Sequence, residues 1–170
     1  MKWGVIGAGG IARRRSIPEV VKFSEKSQIT ALMDVSKELI EETGKQFGID
    51  QCYTSVEEIL KQDIDAVYIA SPVFEHEKQV AAALSAGKHV LCEKPMALTL
   101  DQTEAMVNLA EKKNLKIGVA FMMRYNVYHQ KIKQLVEENQ LGQIVYGRAQ
   151  LTCWYPPIPG AWRQKKATGG

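Results

Sequence analysis

Short apolar runs alternate with stretches of helical period from residue 2 to about residue 120, the pattern of repeated strand–helix–strand crossovers and a parallel sheet. The runs predict strands at Lys2 to Ile6, Ile29 to Met33, Ala66 to Ala70, His89 to Cys92 and Lys116 to Ala120, with a short one at Gln51 to Tyr53. Ser55-Val56-Glu57-Glu58 and Thr99-Leu100-Asp101-Gln102 read as capping boxes and so as helix starts. Gly87 and Gly142 follow helix-like stretches as left-handed stops, and Pro18 is expected to kink or end the first helix.

The pattern changes after residue 120. Tyr125, Tyr128, Ile132, Leu135 and Val136 fall on one face of an amphipathic helix. From Ile144 to Trp154 the chain alternates, which predicts a strand with Val145, Gly147, Ala149, Leu151 and Cys153 on a buried face. The organisation expected is α/β: a doubly wound parallel sheet over residues 1–120, then residues 121–170 as the beginning of an α+β domain. One strand cannot form a sheet alone, so the chain is expected to be truncated.

Composition narrows the class. The chain has 170 residues, 45% hydrophobic and 24% charged, as in ordinary globular proteins. A net charge of +3, spread along the chain, announces neither nucleic acid nor a membrane surface as partner. No apolar run reaches the ~20 residues of a membrane span, and the opening residues do not read as a signal peptide, so the expected location is the cytoplasm. Cys52, Cys92 and Cys153 are too far apart for a disulfide framework, and with His76, His89 and His129 they show no ligand spacing, so no metal is expected.

The chemistry starts at the first strand. Gly7-Ala8-Gly9-Gly10-Ile11-Ala12 has the form G-x-G-x-x-A between a strand and a helix. In the Rossmann arrangement the first glycine makes the tight turn, the second lets backbone approach a pyrophosphate, and Ala12 permits close helix–sheet packing. Helix N–H groups and the macrodipole then stabilise the phosphates without a basic side chain. Asp34 lies 22 residues beyond Ala12 at the end of the second predicted strand, where a ribose-binding acid belongs. A like charge about 4 Å from that carboxylate would be repelled by about 4 kcal/mol at an effective dielectric of ~20, which favours NAD over NADP. Arg13, Arg14 and Arg15 argue the other way, because a guanidinium can hold a 2′-phosphate bidentately, and NADP stays open.

Ligands of such sheets bind beyond the carboxyl ends of the strands. There the fourth long run ends in Ser71-Pro72 and the next in Cys92-Glu93-Lys94-Pro95. A lysine at position 94 could hydrogen-bond a substrate hydroxyl or carbonyl and move its proton; a solvated surface lysine is the competing reading.

The string Ala83-Leu84-Ser85-Ala86-Gly87-Lys88-His89-Val90-Leu91-Cys92-Glu93-Lys94-Pro95-Met96-Ala97 closely resembles the glucose-fructose oxidoreductase, inositol dehydrogenase and rhizopine-catabolism (Gfo/Idh/MocA) family. The resemblance runs from the glycine loop through Ser71-Pro72 and His76, past Arg124-Tyr125, to Trp162-Arg163 and Gly169-Gly170. It implies an NAD(P)-dependent oxidoreductase of sugars, polyols or related carbonyl compounds, with Lys94 in the active site and a cis Lys94-Pro95 bond. It further implies cofactor contacts from Gly7, Gly9, Gly10, Ile11, Ala12, Asp34, Ser71, Pro72, His76, Glu93, Lys94, Trp162 and Arg163. Val73 and Met122 stand where the family often has Asn, so polar contacts are expected to be lost there. The remaining acid–base residues are expected beyond Gly170, so the fragment alone should be nearly inactive, and the whole protein should be a homo-oligomer. The alternative is a dinucleotide-binding sensor without catalysis.

Overall fold

The computed structural model describes residues 1–152, 154, 156–157 and 162–165, without the side chains of Val21 and Arg163. Cys153, the Arg163 side chain and Gly169-Gly170 therefore lie outside the described residues.

Six parallel strands form one sheet: β1 (Lys2–Ile6), β2 (Gln28–Met33), β3 (Gln51–Tyr53), β4 (Ala66–Ile69), β5 (His89–Cys92) and β6 (Ile117–Val119), in the order β3-β2-β1-β4-β5-β6. The helices are α1 (Ile17–Phe23), α2 (Lys37–Phe47), α3 (Val56–Leu60), α4 (Val73–Ser85), α5 (Leu100–Lys112) and α6 (Val127–Glu137). Strand order reverses between β1 and β4, the doubly wound Rossmann arrangement.

Side chains alternate across the strands, and both faces are covered. Ile6, Met33, Val67, Ile69 and Cys92 pack with Leu60, Val80, Leu84 and Met106 of α3, α4 and α5. Val5, Ile29, Leu32 and Tyr68 pack on the other face with Ala12, Ile17 and Ile40. Burial on both faces explains the nearly continuous apolar runs; each fully buried aliphatic side chain contributes about 1.5–3 kcal/mol.

The helix ends follow local chemistry. Thr99 and Gln102 close a complete capping box, whereas at Ser55 only one half forms: its Oγ accepts the Glu58 N–H and donates to Glu57. Gly87 and Gly142 adopt φ of 76° and 64°. Pro18, expected to kink or end the first helix, does not end it. The chain is helical from Gly10, passes through a π-helical turn at Ala12–Ser16, and Pro18 falls in the first turn of α1, where a missing N–H is tolerated.

Met1–Ala120, with the residues from Trp162, forms one unit, and Phe121–Ala161 a second. In the second, a 3-10 turn at Met122–Tyr125 leads to α6, whose first N–H groups, those of Tyr128 and His129, are accepted by Asn126 Oδ1. The strand expected from Ile144 to Trp154 is not there: its described residues form no ladder, and Val145 and Leu151 are 87% and 94% exposed. Alternation selects a face, but a strand persists only where a neighbour accepts its backbone groups. No helix among the described residues is long and apolar enough to cross a membrane.

Candidate functional site

The carboxyl ends of β1, β2 and β4 open into a cleft of about 530 Å³. Its floor is the loop after β1. The N–H groups of Gly7 and Ala8 donate to the Met33 carbonyl at 2.9 and 3.1 Å, which pins the loop to the end of β2. Gly7 has φ +83°, and a Cβ there would come within 2.6 Å of Ser71 N, so only glycine lets this turn lie against the end of β4. A Cβ on Gly9 would press on Leu39 at 2.9 Å and lie 3.5 Å from Asp34 Oδ2. Ala12 is fully buried against the sheet. Because helical structure begins at Gly10 and its first bond runs from Arg13 N–H to the Gly9 carbonyl, the N–H groups of Gly10, Ile11 and Ala12 have no intrahelical acceptor. They form the positive end that anionic oxygens favour.

Asp34 stands over this loop. Its Oδ2 accepts the Gly9 N–H at 3.2 Å and its Oδ1 the Ser36 N–H at 3.2 Å. The cap of α2 is Ser36, whose Oγ accepts from Leu39 N–H. Asp34 thus fixes the turn while lining the cleft. Arg13 is held on α2, where its guanidinium donates to Gln46 and Glu42 and lowers the Glu42 carboxyl below its ordinary range. Arg14 Nε donates to the Gly10 carbonyl.

Opposite the loop, Ser71 and Pro72 line the cleft, and Ser71 Oγ donates to Gln79 at 2.5 Å. Trp162 lies on the same lining. The apolar walls, Val35, Leu39, Val56 and Phe74, escaped the sequence reading. An apolar Val35 directly after Asp34 and an apolar Phe74 just after Ser71-Pro72-Val73 are the sequence signals that could have found them, and both side chains are exposed. Val73 is 2% exposed and packs inward.

His76 is not on the cleft lining. It is 1% exposed, with Nδ1 3.0 Å from the Pro95 carbonyl and Nε2 3.0 Å from the Ser71 carbonyl. A neutral ring donates to one of these and an imidazolium to both. Either way the side chain braces the turn after β4 against the turn after β5, which leaves no nitrogen for a ligand.

Glu93 and Lys94 follow β5, next to the end of β4, where Glu93 N–H donates to the Ile69 carbonyl at 2.8 Å. They lie beyond the cleft lining, Lys94 exposed and Glu93 half-buried, and the Lys94–Pro95 bond is cis. Cys92 before them is fully buried, and burial pushes its thiol up to about 12, so it is no nucleophile near neutrality. Among the described residues no group of three or more His, Cys, Asp or Glu could hold a metal.

A dinucleotide fits this donor set. A glycine turn held tight against the end of β4 and helix N–H groups without an intrahelical acceptor suit a diphosphate, a carboxylate suits ribose hydroxyls, and apolar walls suit a purine.

Comparison with known proteins agrees with that chemistry. Residues 1–121 match the model of the oxidoreductase family with an NAD-binding Rossmann fold, Gfo/Idh/MocA. The chain is 32% identical over 170 residues to 1,5-anhydro-D-fructose reductase of Ensifer adhaerens, covering 99% of this chain and 50% of that protein. Among solved structures, scyllo-inositol dehydrogenase from Lactobacillus casei with bound NAD(H) and scyllo-inositol is 28% identical, with TM-score 0.79 over 84% of this chain and 42% of that one. A 3-ketoreductase from Actinomadura kijaniata in complex with TDP-benzene and NADP is 28% identical, with TM-score 0.75 over 82% of this chain and 44% of that one. The chain spans about half the length of the curated relatives it matches.

Proposed function

The chain belongs to the Gfo/Idh/MocA oxidoreductase family, and from that premise we propose that its protein transfers hydride between a nicotinamide dinucleotide and a carbinol or carbonyl carbon of a sugar or polyol. The observation that carries the reading is the glycine loop with Asp34 standing over it, Gly9 N–H donating to Oδ2 at 3.2 Å on the cleft lining. The relatives' own names, a sugar-derivative reductase and an inositol dehydrogenase, support the substrate class.

Gly7, Gly9, Gly10, Ile11 and Ala12 hold the diphosphate by backbone, Asp34 holds the adenosine ribose, and Ser71, Pro72 and Trp162 complete the wall. NAD is preferred over NADP. Asp34 opposes a 2′-phosphate by charge, and Arg13, next to the loop, is already tied to Glu42 and Gln46.

When bound, the nicotinamide accepts or gives the hydride. Lys94, exposed at the end of β5, hydrogen-bonds the substrate oxygen, taking its proton as a hydroxyl is oxidised and returning it as a carbonyl is reduced. Glu93 borders the same end. The protein works in the cytoplasm, as an oligomer.

Lys94→Ala in the whole protein, assayed on cyclic sugars and polyols, should leave dinucleotide binding intact and slow turnover by ~10²–10⁴. Unchanged turnover would remove Lys94 from the chemistry. Binding without turnover of any such substrate would instead identify a sensor.

A further inference from the structure

Behind the end of β5, away from the cleft lining, three side chains form a hydrogen-bonded line. Ser16 Oγ, at the end of the π-helical turn, donates to the Tyr68 hydroxyl at 3.0 Å, and that hydroxyl donates to Glu93 Oε1 at 2.7 Å. The other carboxylate oxygen, Glu93 Oε2, accepts the Lys94 backbone N–H at 3.1 Å. The direction of the line follows from its end, since an ionised carboxylate only accepts.

Tyr68 sits in the middle of β4, 7% exposed, with its ring among Val5, Ile17 and Leu91. Packing alone would be served by phenylalanine, and a buried hydroxyl is costly unless bonded. Here it spans from β4 to the turn after β5 and fastens the carboxylate that directly precedes Lys94. With donors on both oxygens Glu93 has little rotational freedom, so its charge is fixed in place.

That place bears on the dinucleotide. Asp34 at the end of β2 lies on the cleft lining, and a dinucleotide that holds its adenosine ribose there and crosses the reversal of strand order would extend its other end toward β4 and β5. A fixed negative charge there favours a cationic ring over a neutral one.

We propose that Tyr68, steadied by Ser16, is a positioning residue that fixes the Glu93 carboxylate so that the protein binds the oxidised dinucleotide in preference to what an unfixed carboxylate would allow. The inference rests on the dinucleotide reading above. Burial, the largest cause, raises the Tyr68 phenol well above its ordinary range, with Glu93 adding to the rise and Ser16 opposing it, so the hydroxyl remains a donor at neutral pH.

The test uses the full chain and the variants Tyr68→Phe, Ser16→Ala and Glu93→Gln, with NAD⁺ and NADH titrated separately and no turnover measured. Tyr68→Phe should shift the ratio of the two dissociation constants toward NADH by roughly threefold to tenfold, the range of one hydrogen bond's ordinary net contribution. Glu93→Gln should shift it the same way at least as far, and Ser16→Ala less. A second measurement needs no dinucleotide: in ¹³C-tyrosine NMR at neutral pH the Tyr68 Cζ signal should move in Glu93→Gln relative to wild type, because the phenol's acceptor changes from a carboxylate to an amide.

A wild-type ratio in Tyr68→Phe beside an altered one in Glu93→Gln would overturn the proposal, as would a Tyr68 signal at neutral pH indifferent to Glu93→Gln. If folded wild type binds neither form, the dinucleotide reading falls and this proposal with it. The Tyr68 signal tells the cases apart, because it reports the hydrogen bond whether or not a dinucleotide binds.

Discussion

In the Met1–Ala120 unit the apolar positions of the strands are covered, with Ile6, Leu32, Val67 and Ile69 at 0% exposure; in the Phe121–Ala161 unit Tyr128, Ile132 and Val136 remain 75%, 56% and 45% exposed. Both regions carry clear amphipathic patterning, so patterning is not what separates them. In the first, each strand has a neighbour and each helix a sheet face. In the second, α6 and the alternating stretch after it have no apolar cover among the described residues. An eleven-residue helix is marginal by itself.

Mutation should expose this contrast most strongly in the closed unit. Leu84→Ala, in the core between α4 and the sheet, should lower unfolding free energy by about 2–5 kcal/mol in urea titrations. A loss below about 1 kcal/mol would mean the core is looser than its burial implies.

Alkali should have a smaller effect through the same core. Burial holds the Cys92 thiol and the Tyr68 phenol above their ordinary values, so above about pH 9 the unfolded chain releases protons that the folded one keeps. The unfolded state then binds fewer protons, and stability falls as pH rises. Melting temperature should drop between about pH 8 and about pH 11, and Tyr68→Phe should drop less. Equal slopes would show that Tyr68 is not held neutral by the fold.

The smallest change is expected in α6. Ile132→Ser should alter the unfolding free energy by no more than about 0.5 kcal/mol, since its side chain is already exposed. A loss comparable with that of Leu84→Ala would show the stripe to be covered in solution.

The same contrast explains what could be read from the sequence. The six strands, the Thr99 box and the loop from Gly7 to Ala12 are set by local periodicity and local backbone demands, and they appear within a residue or two of expectation. Asp34 was legible because strand ends in a doubly wound sheet have fixed places. The Tyr68–Glu93 bond and the His76 brace join residues 25 and 19 apart, and no local pattern specifies them. The π-helical turn that lets Pro18 start α1 is likewise invisible in composition. The alternation from Ile144 to Trp154 was correctly seen as a pattern and wrongly read as a strand, because pairing depends on a neighbour that a single segment cannot reveal.

Isothermal titration of the chain with NAD, beside Gly7→Val and Asp34→Ala, decides whether the loop beneath Asp34 receives a diphosphate. Saturable binding at one site is expected in the wild type, with loss in Gly7→Val, whose side chain would occupy the space held by Ser71, and weakened binding in folded Asp34→Ala. A folded wild-type chain that takes up neither NAD nor NADP would contradict it.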